Sequence, residues 1–334
     1  MAPWQVQDRA NRRSVVAIDW RPPVTATPGG CMSSHEGGTK AIVAALSANI
    51  GIAVVKFVAY LLTHSSSMLA ESVHSLADSG NQLLLLLGGK RARKAADVEH
   101  PFGYGRERYL YAFMVSIVLF SLGGLFALYE AWHKFEDPHP IESWQWVPVA
   151  VLLAAILMEG ASFRTAMRES KQARGSRSVF EYIRAAKAPE LPVVLLEDFG
   201  ALVGLVFALF GVGMTLATDD GRWDAVGSAA IGLLLVVIAV ILALETRSML
   251  LGESATPADV AAIRAALVGE GVPSVIHLRT MHLGPDELLV AAKIEVSSTE
   301  TAPDIARAID DAEARVRAAV PISTTIYLEP DLRR

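Results

Sequence analysis

Cysteine and charged residues are both scarce in this sequence. Cys31 is the only cysteine, which excludes an intrachain disulfide scaffold because a bridge needs two thiols. Only 19% of the 334 residues are charged and the net charge is −5. The sequence therefore lacks the basic patch that is typical of a nucleic-acid-binding protein. Hydrophobic residues make up 52% of the chain, and their long runs exclude disorder over the whole length and indicate a membrane protein.

Six stretches of the sequence are long enough to cross a bilayer, since a helix needs ~20 residues to span ~30 Å of hydrocarbon. We predict an all-α bundle of six transmembrane helices over residues 39–250, preceded by a flexible cytoplasmic tail over residues 1–38. The second span is the least apolar, because polar side chains occupy its first half. The predicted spans are residues 41–62, 67–89, 109–133, 146–167, 191–217 and 225–249.

The distribution of Lys and Arg predicts how the chain is oriented. These residues are concentrated in the tail, in the loop after the second span and between the fourth and fifth spans. The other three loops have almost none. Because cytoplasmic loops collect positive charge, both termini are expected to be cytoplasmic. No organelle-targeting signal is evident, so a bacterial-type inner membrane is the default prediction.

The last part of the chain, residues 254–334, has the pattern of a small folded domain outside the membrane. Thr256 and Pro257 indicate the start of a helix. Residues 275–283 and 288–296 are β-prone and are separated by a turn, and residues 301–320 and 323–328 predict a second helix and a last strand. The order αββαβ predicts a cytoplasmic, ferredoxin-like α+β domain with its helices on one face of a sheet.

Ionisable side chains inside predicted spans are the strongest functional signal, because they are costly in lipid and usually mark a pathway. His74 and Asp78 lie one turn apart on the same face of the second span. Imidazole nitrogen and carboxylate oxygen both bind Zn²⁺ and related ions. Glu197 and Asp198 in the fifth span are the best further ligands. Adjacent residues point ~100° apart, so we expect one to bind the ion and the other to act beside it.

Other polar residues in the spans are weaker candidates for a relay or for hydrogen bonds between helices. Lys56 is the only Lys or Arg well inside a span. We therefore expect the buried acids to need a cation from outside the chain, either a metal ion, protons or both. The four weaker candidates are Asn49, Glu71, Asn81 and Glu159. Gly200 and Gly204 are expected to be positions of close helix packing.

Two segments together resemble the cation diffusion facilitator family. They are Ser66-Ser67-Met68-Leu69-Ala70-Glu71-Ser72-Val73-His74-Ser75-Leu76-Ala77-Asp78-Ser79-Gly80-Asn81-Gln82 and the loop His100-Pro101-Phe102-Gly103-Tyr104-Gly105. With six spans and the αββαβ domain, the resemblance covers nearly the whole chain. It implies a homodimeric, proton-coupled antiporter that exports Zn²⁺ or a similar divalent ion and has no prosthetic group. It also implies that His74, Asp78 and Asp198 are metal ligands.

The sequence departs from the family pattern in two places. Val194 stands where the family usually has a His or Asp, and Glu197 is the candidate substitute. Residues 195–198, Leu-Leu-Glu-Asp, are similar to a subgroup related to the ninth human zinc transporter. In the cytoplasmic domain, the positions where many relatives bind extra zinc hold residues that would not form such a site. These are Ile276, Lys293, Tyr327 and Glu329.

Several alternatives remain open from the sequence. An uncoupled divalent-metal channel or facilitator would use the same residues, and a transport-inactive membrane metal sensor would fit the altered ligand positions. Zn²⁺ is favoured by the mixed imidazole and carboxylate set, whereas Mn²⁺, Fe²⁺ and Co²⁺ are alternatives. We do not expect an enzyme, because Ser75 is the only nucleophile beside an intramembrane His and sequence neighbours point apart.

Overall fold

The computed structural model describes residues 35–138 and 144–332, without the side chains of residues 35–48, 172 and 173. The chain divides into a short unit, Met1–Ile42, and a large unit, Val43–Arg334. Of the predicted tail, only residues 35–38 lie within the described residues, where they belong to the first helix. Val43–Arg334 contains both the helical bundle and the C-terminal sheet.

Long helices occupy all the predicted spans. The third span is a continuous helical stretch, Glu107–Glu136, in which a π-helical segment, Leu119–Leu125, joins α3 to α4. A short helix, α6, lies between the fourth and fifth spans. The helices are α1 (His35–Thr63), α2 (Ser66–Ala92), α3 (Glu107–Val118), α4 (Phe126–Glu136), α5 (Trp146–Arg174), α6 (Val179–Ala185), α7 (Glu190–Thr218) and α8 (Arg222–Leu251).

Four helical stretches are both long and apolar enough to cross a membrane: Glu107–Glu136, Trp146–Lys171, Glu190–Thr218 and Arg222–Leu251. The part of α1 whose side chains are described contributes a shorter apolar helix, Asn49–Thr63. Large apolar side chains cover the outside of the bundle, and Leu157 is 76% exposed. Such a surface is unfavourable in water and suits the hydrocarbon of a bilayer.

Glycines allow the central helices to approach closely. A Cβ atom at Gly211 of α7 would lie 3.1 Å from the Cα atom of Gly227 of α8. At Gly124, in the π-helical segment, it would lie 2.6 Å from a methyl carbon of Val236. Gly200 packs equally tightly against Ile238, which confirms that it is a position of close helix packing. Because small residues let helix backbones meet, these contacts set the spacing of α7, α8 and the helix over Glu107–Glu136.

A buried carboxylate holds the start of α2. Asp224 of α8 is 0% exposed and accepts hydrogen bonds from the backbone N–H groups of Ser66 (2.6 Å) and Ser67 (3.3 Å). The hydroxyls of Ser65 (2.9 Å) and Ser66 (3.1 Å) donate to the same carboxylate. The first N–H groups of a helix have no partner within the helix and carry partial positive charge, so an anion is stabilised there. Asp224 therefore fixes the first turn of α2.

The C-terminal domain has the predicted order αββαβ. Helix α9 (Pro257–Leu267) precedes the hairpin of β1 (Val275–Gly284) and β2 (Glu287–Glu295), and α10 (Ala302–Ala319) leads to β3 (Ser323–Asp331). Strand β2 lies in the middle of the sheet, antiparallel to β1 and parallel to β3. Alternate residues of β2 are buried and pack with residues of α9 and α10 in one apolar core. Both helices therefore lie on one face of a mixed sheet.

The sheet contacts the end of the bundle where the basic loops lie. Arg108 bonds to Glu190, at the start of α7, and donates to Asp286 in the β1–β2 turn at 2.6 Å. Lys187 bonds to Glu253, beyond the end of α8. These ion pairs place the Lys- and Arg-rich loops and the C-terminal sheet on the same side of the bundle. The α1–α2 and α7–α8 turns lie at the opposite end, which we call the outer end.

His282 differs from the other strand histidine in its surroundings. His277 is exposed, whereas His282 is buried and its Nδ1 lies 3.3 Å from the carbonyl oxygen of Gly284. Burial lowers the pKa of His282 below its ordinary value, because the charged imidazolium loses its hydration.

We expect Asp224→Asn to lower the free energy of unfolding by about 2 kcal/mol, because hydrogen bonds to a charged acceptor contribute ~1.5–3 kcal/mol. Thermal unfolding of the full chain in detergent measures the change. Asp219→Asn is the matched control, because it removes a carboxylate from the same turn without touching α2. Equal midpoints for the two variants would contradict the role of Asp224.

We expect the free energy of unfolding to decrease as pH falls below the ordinary His pKa of about 6.5, partly through His282. In this range the unfolded chain binds a proton at His282 that the folded chain does not, so the unfolded state gains stability. His282→Gln should make the free energy of unfolding less dependent on pH between about pH 7.5 and about pH 5.5, and His277→Gln should leave this dependence unchanged. Denaturant unfolding of the full chain tests this, and identical slopes in both variants would contradict it.

Candidate metal-ion cavity

A small polar cavity lies inside the bundle between α1, α2, α5 and α7. About 20 Å³ of it admits the centre of a water-sized sphere. One water needs ≳10–15 Å³ by this measure, so the cavity has room for one water molecule or one dehydrated cation. The lining residues are Asn49, Ile52, Ser75, Asp78, Gln82, Glu159, Ser162, Val194, Glu197 and Asp198.

Three helices direct four carboxyl groups to this cavity. Asp78 comes from α2, Glu159 from α5, and Glu197 and Asp198 from α7. Helical spacing explains the shared face, because Ser75, Asp78 and Gln82 are three and four residues apart on α2. The described lining contains no Lys or Arg. Carboxylates confined together in a low-dielectric bundle repel one another, so the cavity favours a cation.

Hydrogen-bond donors orient two of the four acids. The amide of Asn81 donates to Glu197 Oε1 at 2.6 Å, and both side chains are buried. The hydroxyl of Ser162 donates to Asp198 Oδ2 at 3.0 Å. The sequence indicated Asn81 as a polar candidate but did not indicate Ser162. Its position three residues after Glu159 on α5 was the available signal, because this spacing places both on one face.

His74 lies beside the cavity and does not line it. It is 1% exposed, and its Nδ1 is 3.6 Å from Asp78 Oδ1, beyond hydrogen-bond distance. Within the described structure, neither ring nitrogen of His74 has a hydrogen-bond partner, and neither does Asp78 Oδ1. Buried polar atoms without partners are rare and costly. A cation or proton arriving near Asp78 would meet unused acceptor atoms.

The structure brings together part of the predicted ligand set. Asp78, Glu197 and Asp198 share the cavity, whereas His74 is separated from it. Among the described residues, no group of three His, Cys, Asp or Glu side chains is arranged to hold a metal ion. Metal binding by His74, Asp78, Glu197 and Asp198 therefore stays a prediction, and it requires these side chains to move closer together.

The weaker candidates divide between the cavity and its surroundings. Asn49 and Glu159 line the cavity, and Asn81 reaches it through Glu197. Val194 also lines it, so an apolar side chain occupies the place where the family usually has a ligand. The buried carboxylate of Glu197 is the nearest acid along α7.

Glu71 has a cation partner inside the chain, which corrects the expectation that all the buried acids need one from outside. The ammonium of Lys56 donates to Glu71 Oε2 at 2.9 Å and to Ser75 Oγ at 2.8 Å. The side chains of Lys56 and Glu71 are 1% and 0% exposed. The sequence shows that Lys56 lies within a span but does not reveal how α1 packs against α2, and so it could not reveal this pair.

Comparison with known proteins relates this arrangement to metal transporters. The chain is 30% identical over 264 residues to the mouse (Mus musculus) proton-coupled zinc antiporter SLC30A9, mitochondrial. It is 28% identical over 259 residues to metal tolerance protein C4 of Arabidopsis thaliana. It is 25% identical over 254 residues to the zinc transporter ZitB of Escherichia coli.

The matched regions cover most of this chain but a varying share of each relative. They cover 78%, 77% and 75% of this chain. They cover 46% of the mouse protein, 56% of the Arabidopsis protein and 75% of ZitB. The chain therefore spans about half the length of the mouse relative.

The helical bundle itself matches a known family model. Residues 42–251 match the cation efflux transmembrane domain, which is well over half of the chain. This range contains all the residues that line the cavity. The match confirms the family resemblance seen in residues 66–82, and the chain therefore belongs to the cation efflux family, the cation diffusion facilitators, and resembles SLC30A9.

Proposed function

We propose that this protein is a proton-coupled antiporter that exports Zn²⁺, or a related divalent cation, from the cytoplasm by alternating access. One observation carries the proposal: four carboxyl groups from three helices surround one cavity whose described lining has no Lys or Arg. An acidic cavity of this size suits a small cation. The name of the mouse relative, a proton-coupled zinc antiporter, supports the same assignment.

The proposed ligands are Asp78, Asp198 and His74, with Glu197 in place of the ligand missing at Val194. His74 joins the set when its ring turns toward Asp78, from which it is now 3.6 Å away. Imidazole nitrogen favours Zn²⁺, whereas carboxylates alone would suit Mn²⁺, and Fe²⁺ or Co²⁺ are alternatives. Ligands must be deprotonated to bind a metal, so protonation of the set in the outward-facing state releases the ion.

We propose six spans, with both termini in the cytoplasm. Helices α1 and α2 would cross the membrane beside the four apolar stretches, with the polar side chains of α2 turned inward. The placement of the basic loops on the same side as the C-terminal sheet supports this orientation. The proposed membrane is a bacterial-type inner membrane, although the mouse and human relatives are named as mitochondrial proteins.

We further propose that the ferredoxin-like C-terminal domain joins two copies of the chain. Tyr327 of β3 is 58% exposed. It pairs in register with Ala291 of β2, on the sheet face opposite α9 and α10. The ring of Phe102 lies near it, with 6.5 Å between the ring centroids, but most of the Tyr327 side chain stays exposed. An exposed aromatic side chain on a sheet face is typical of an interface. Because Ile276, Lys293, Tyr327 and Glu329 are not expected to bind a bridging metal ion, apolar packing would hold the dimer.

Replacing one cavity acid should abolish transport. In vesicles with an imposed pH gradient, we expect Zn²⁺ uptake by Asp78→Asn or Asp198→Asn to fall to the level of empty vesicles, because each change removes an anionic ligand while keeping the size of the side chain. Asp310→Asn, which alters an exposed acid on α10, is the matched control and should transport normally. Unchanged uptake by both cavity variants would contradict the proposal.

The same vesicles separate the alternative functions. An antiporter accumulates Zn²⁺ against its gradient when protons flow the other way, and collapse of the pH gradient stops accumulation. A channel or facilitator would equilibrate Zn²⁺ at a rate independent of the pH gradient. A transport-inactive sensor would bind Zn²⁺ in detergent through the cavity acids and show no flux.

The dimer is tested by the mass of the intact protein. Size-exclusion chromatography with light scattering in mild detergent should give twice the chain mass of 35.8 kDa, after correction for detergent. Tyr327→Lys should shift the protein toward the monomer, because it places a charge on the proposed apolar interface. Ala306→Lys, at an exposed position of α10, is the control and should leave the mass unchanged. A monomer at high protein concentration would contradict the dimer.

A further inference from the structure

A lysine side chain is buried in the apolar bundle next to the cavity. Lys56 lies on α1 and is 1% exposed, and its ammonium has two acceptors on α2, Glu71 and Ser75. An ammonium group loses its hydration when buried, so it is retained only where acceptors replace the water. Ser75 follows Glu71 by four residues, so both acceptors lie on one face of α2. Lys56 therefore bonds α1 to a single face of α2.

This bond lies at the outer wall of the cavity. Ser75 lines the cavity and also accepts a hydrogen bond from Lys56. On α1, Lys56 comes after the lining residues Asn49 and Ile52, toward the outer end. On α2, Glu71 precedes Ser75, again toward the outer end. The Lys56–Glu71 pair thus lies between the cavity and the outer end of the bundle.

The structure beyond the pair is tightly packed. A Cβ atom at Gly204 of α7 would lie only 3.1 Å from Glu71 Oε1, so the backbone of α7 presses against this carboxylate. Farther out, Asp224 holds the first residues of α2. The other oxygen of Glu71, Oε1, is buried and has no hydrogen-bond partner in the described part of the chain. Glu71 therefore keeps one unused acceptor between the cavity and the outer end of the bundle.

Lys56 is also a principal polar link between α1 and the rest of the bundle. Among residues 49–63, whose side chains are described, it makes the side-chain hydrogen bonds that join α1 to side chains of α2. Many neighbouring side chains on α1 are apolar and face outward, and Val54, Val55 and Val58 are all about half exposed. Apolar side chains that face lipid do not fix one helix against another.

We propose that Lys56 is the outer plug of the cavity: its ammonium seals the wall at Glu71 and Ser75, and outward passage of the ion requires this contact to open. The proposal rests on the transport function proposed above. A cation fixed to the chain is suited to this position, because it neutralises Glu71 while the passage is closed. When the contact opens, Glu71 becomes an acceptor for the departing ion.

Thiol labelling from each side of the membrane tests the plug. Cys31→Ser removes the only cysteine, and Ile52→Cys then places a single thiol in the cavity lining. The probe is a membrane-impermeant methanethiosulfonate that carries a quaternary ammonium, added to either face of sealed vesicles without metal. With the pair intact, we expect slow labelling from the outer face.

Removal of the Lys56–Glu71 pair should raise the rate of thiol labelling from the outer face only. In Lys56→Met/Glu71→Gln, we expect labelling from the outer face to be about tenfold faster, because charged hydrogen bonds that favour the closed state are lost. Labelling from the cytoplasmic face should stay the same, which a general loosening of the bundle would not allow. The exchange Lys56→Glu/Glu71→Lys should restore slow outer labelling. If the double variant does not fold, Glu71→Gln alone replaces it with the same expected result.

An unchanged outer rate in the folded variant would overturn the plug, as would equal increases from both faces. Because labelling needs neither metal nor a pH gradient, its result is independent of the transport assay. If the protein without substitutions shows no Zn²⁺ uptake, the antiporter is refuted, but the labelling result remains valid. Normal uptake with an unchanged labelling rate would refute the plug alone.

Discussion

The cost of placing carboxyl groups inside an apolar bundle governs the arrangement of the polar residues. Each buried acid loses hydration, which hydrogen bonds or an opposite charge must replace. Asp224 is fully supplied with donors at the start of α2, and Glu71 has the ammonium of Lys56. Glu197 and Asp198 each have one side-chain donor. The acids that line the cavity thus keep the free acceptor capacity that an ion requires.

The polar residues of α2 meet different partners in successive turns of the helix. Its first residues are held by Asp224, its next turn carries Glu71 against Lys56, and the two turns after that carry His74 and Asp78. Polarity that makes α2 a poor membrane span by composition is therefore matched by partners on α1, α7 and α8. The helix is stable in the bundle because its neighbours supply hydrogen-bond partners: Lys56 donates to it, and Asp224 and Glu197 accept from it.

The sequence predicted the elements better than the contacts between them. Apolar runs of about 20 residues located the long helices, and two β-prone runs separated by turn residues located β1 and β2, because these signals are local. It also predicted that Asp78, Glu197 and Asp198 lie on helices that meet. It did not predict that Lys56 binds Glu71 or that Asp224 binds the start of α2, since both depend on the rotation and register of packed helices. Asp224 comes one residue before the predicted sixth span, 225–249, so the sequence did not place it inside the bundle.

His74 illustrates the same limit at the site. Its spacing from Asp78 correctly placed both residues on one face of α2, but a shared face still allows the two side chains to differ in depth. Packing against neighbouring helices buries His74 behind the cavity wall, 3.6 Å from Asp78. Ser162 went unnoticed for a related reason, because a single serine in an apolar span becomes informative only when Asp198 is seen beside it.

Arg108 connects the C-terminal sheet to a helix of the bundle. It bonds at once to Asp286, in the β1–β2 turn, and to Glu190, the first residue of α7. Asp198 lies on α7 only about two helical turns farther on. A helix transmits an axial displacement along its hydrogen-bonded backbone with little loss. A tilt of the sheet would therefore displace α7 along its axis and, with it, the carboxyl group of Asp198 that lines the cavity.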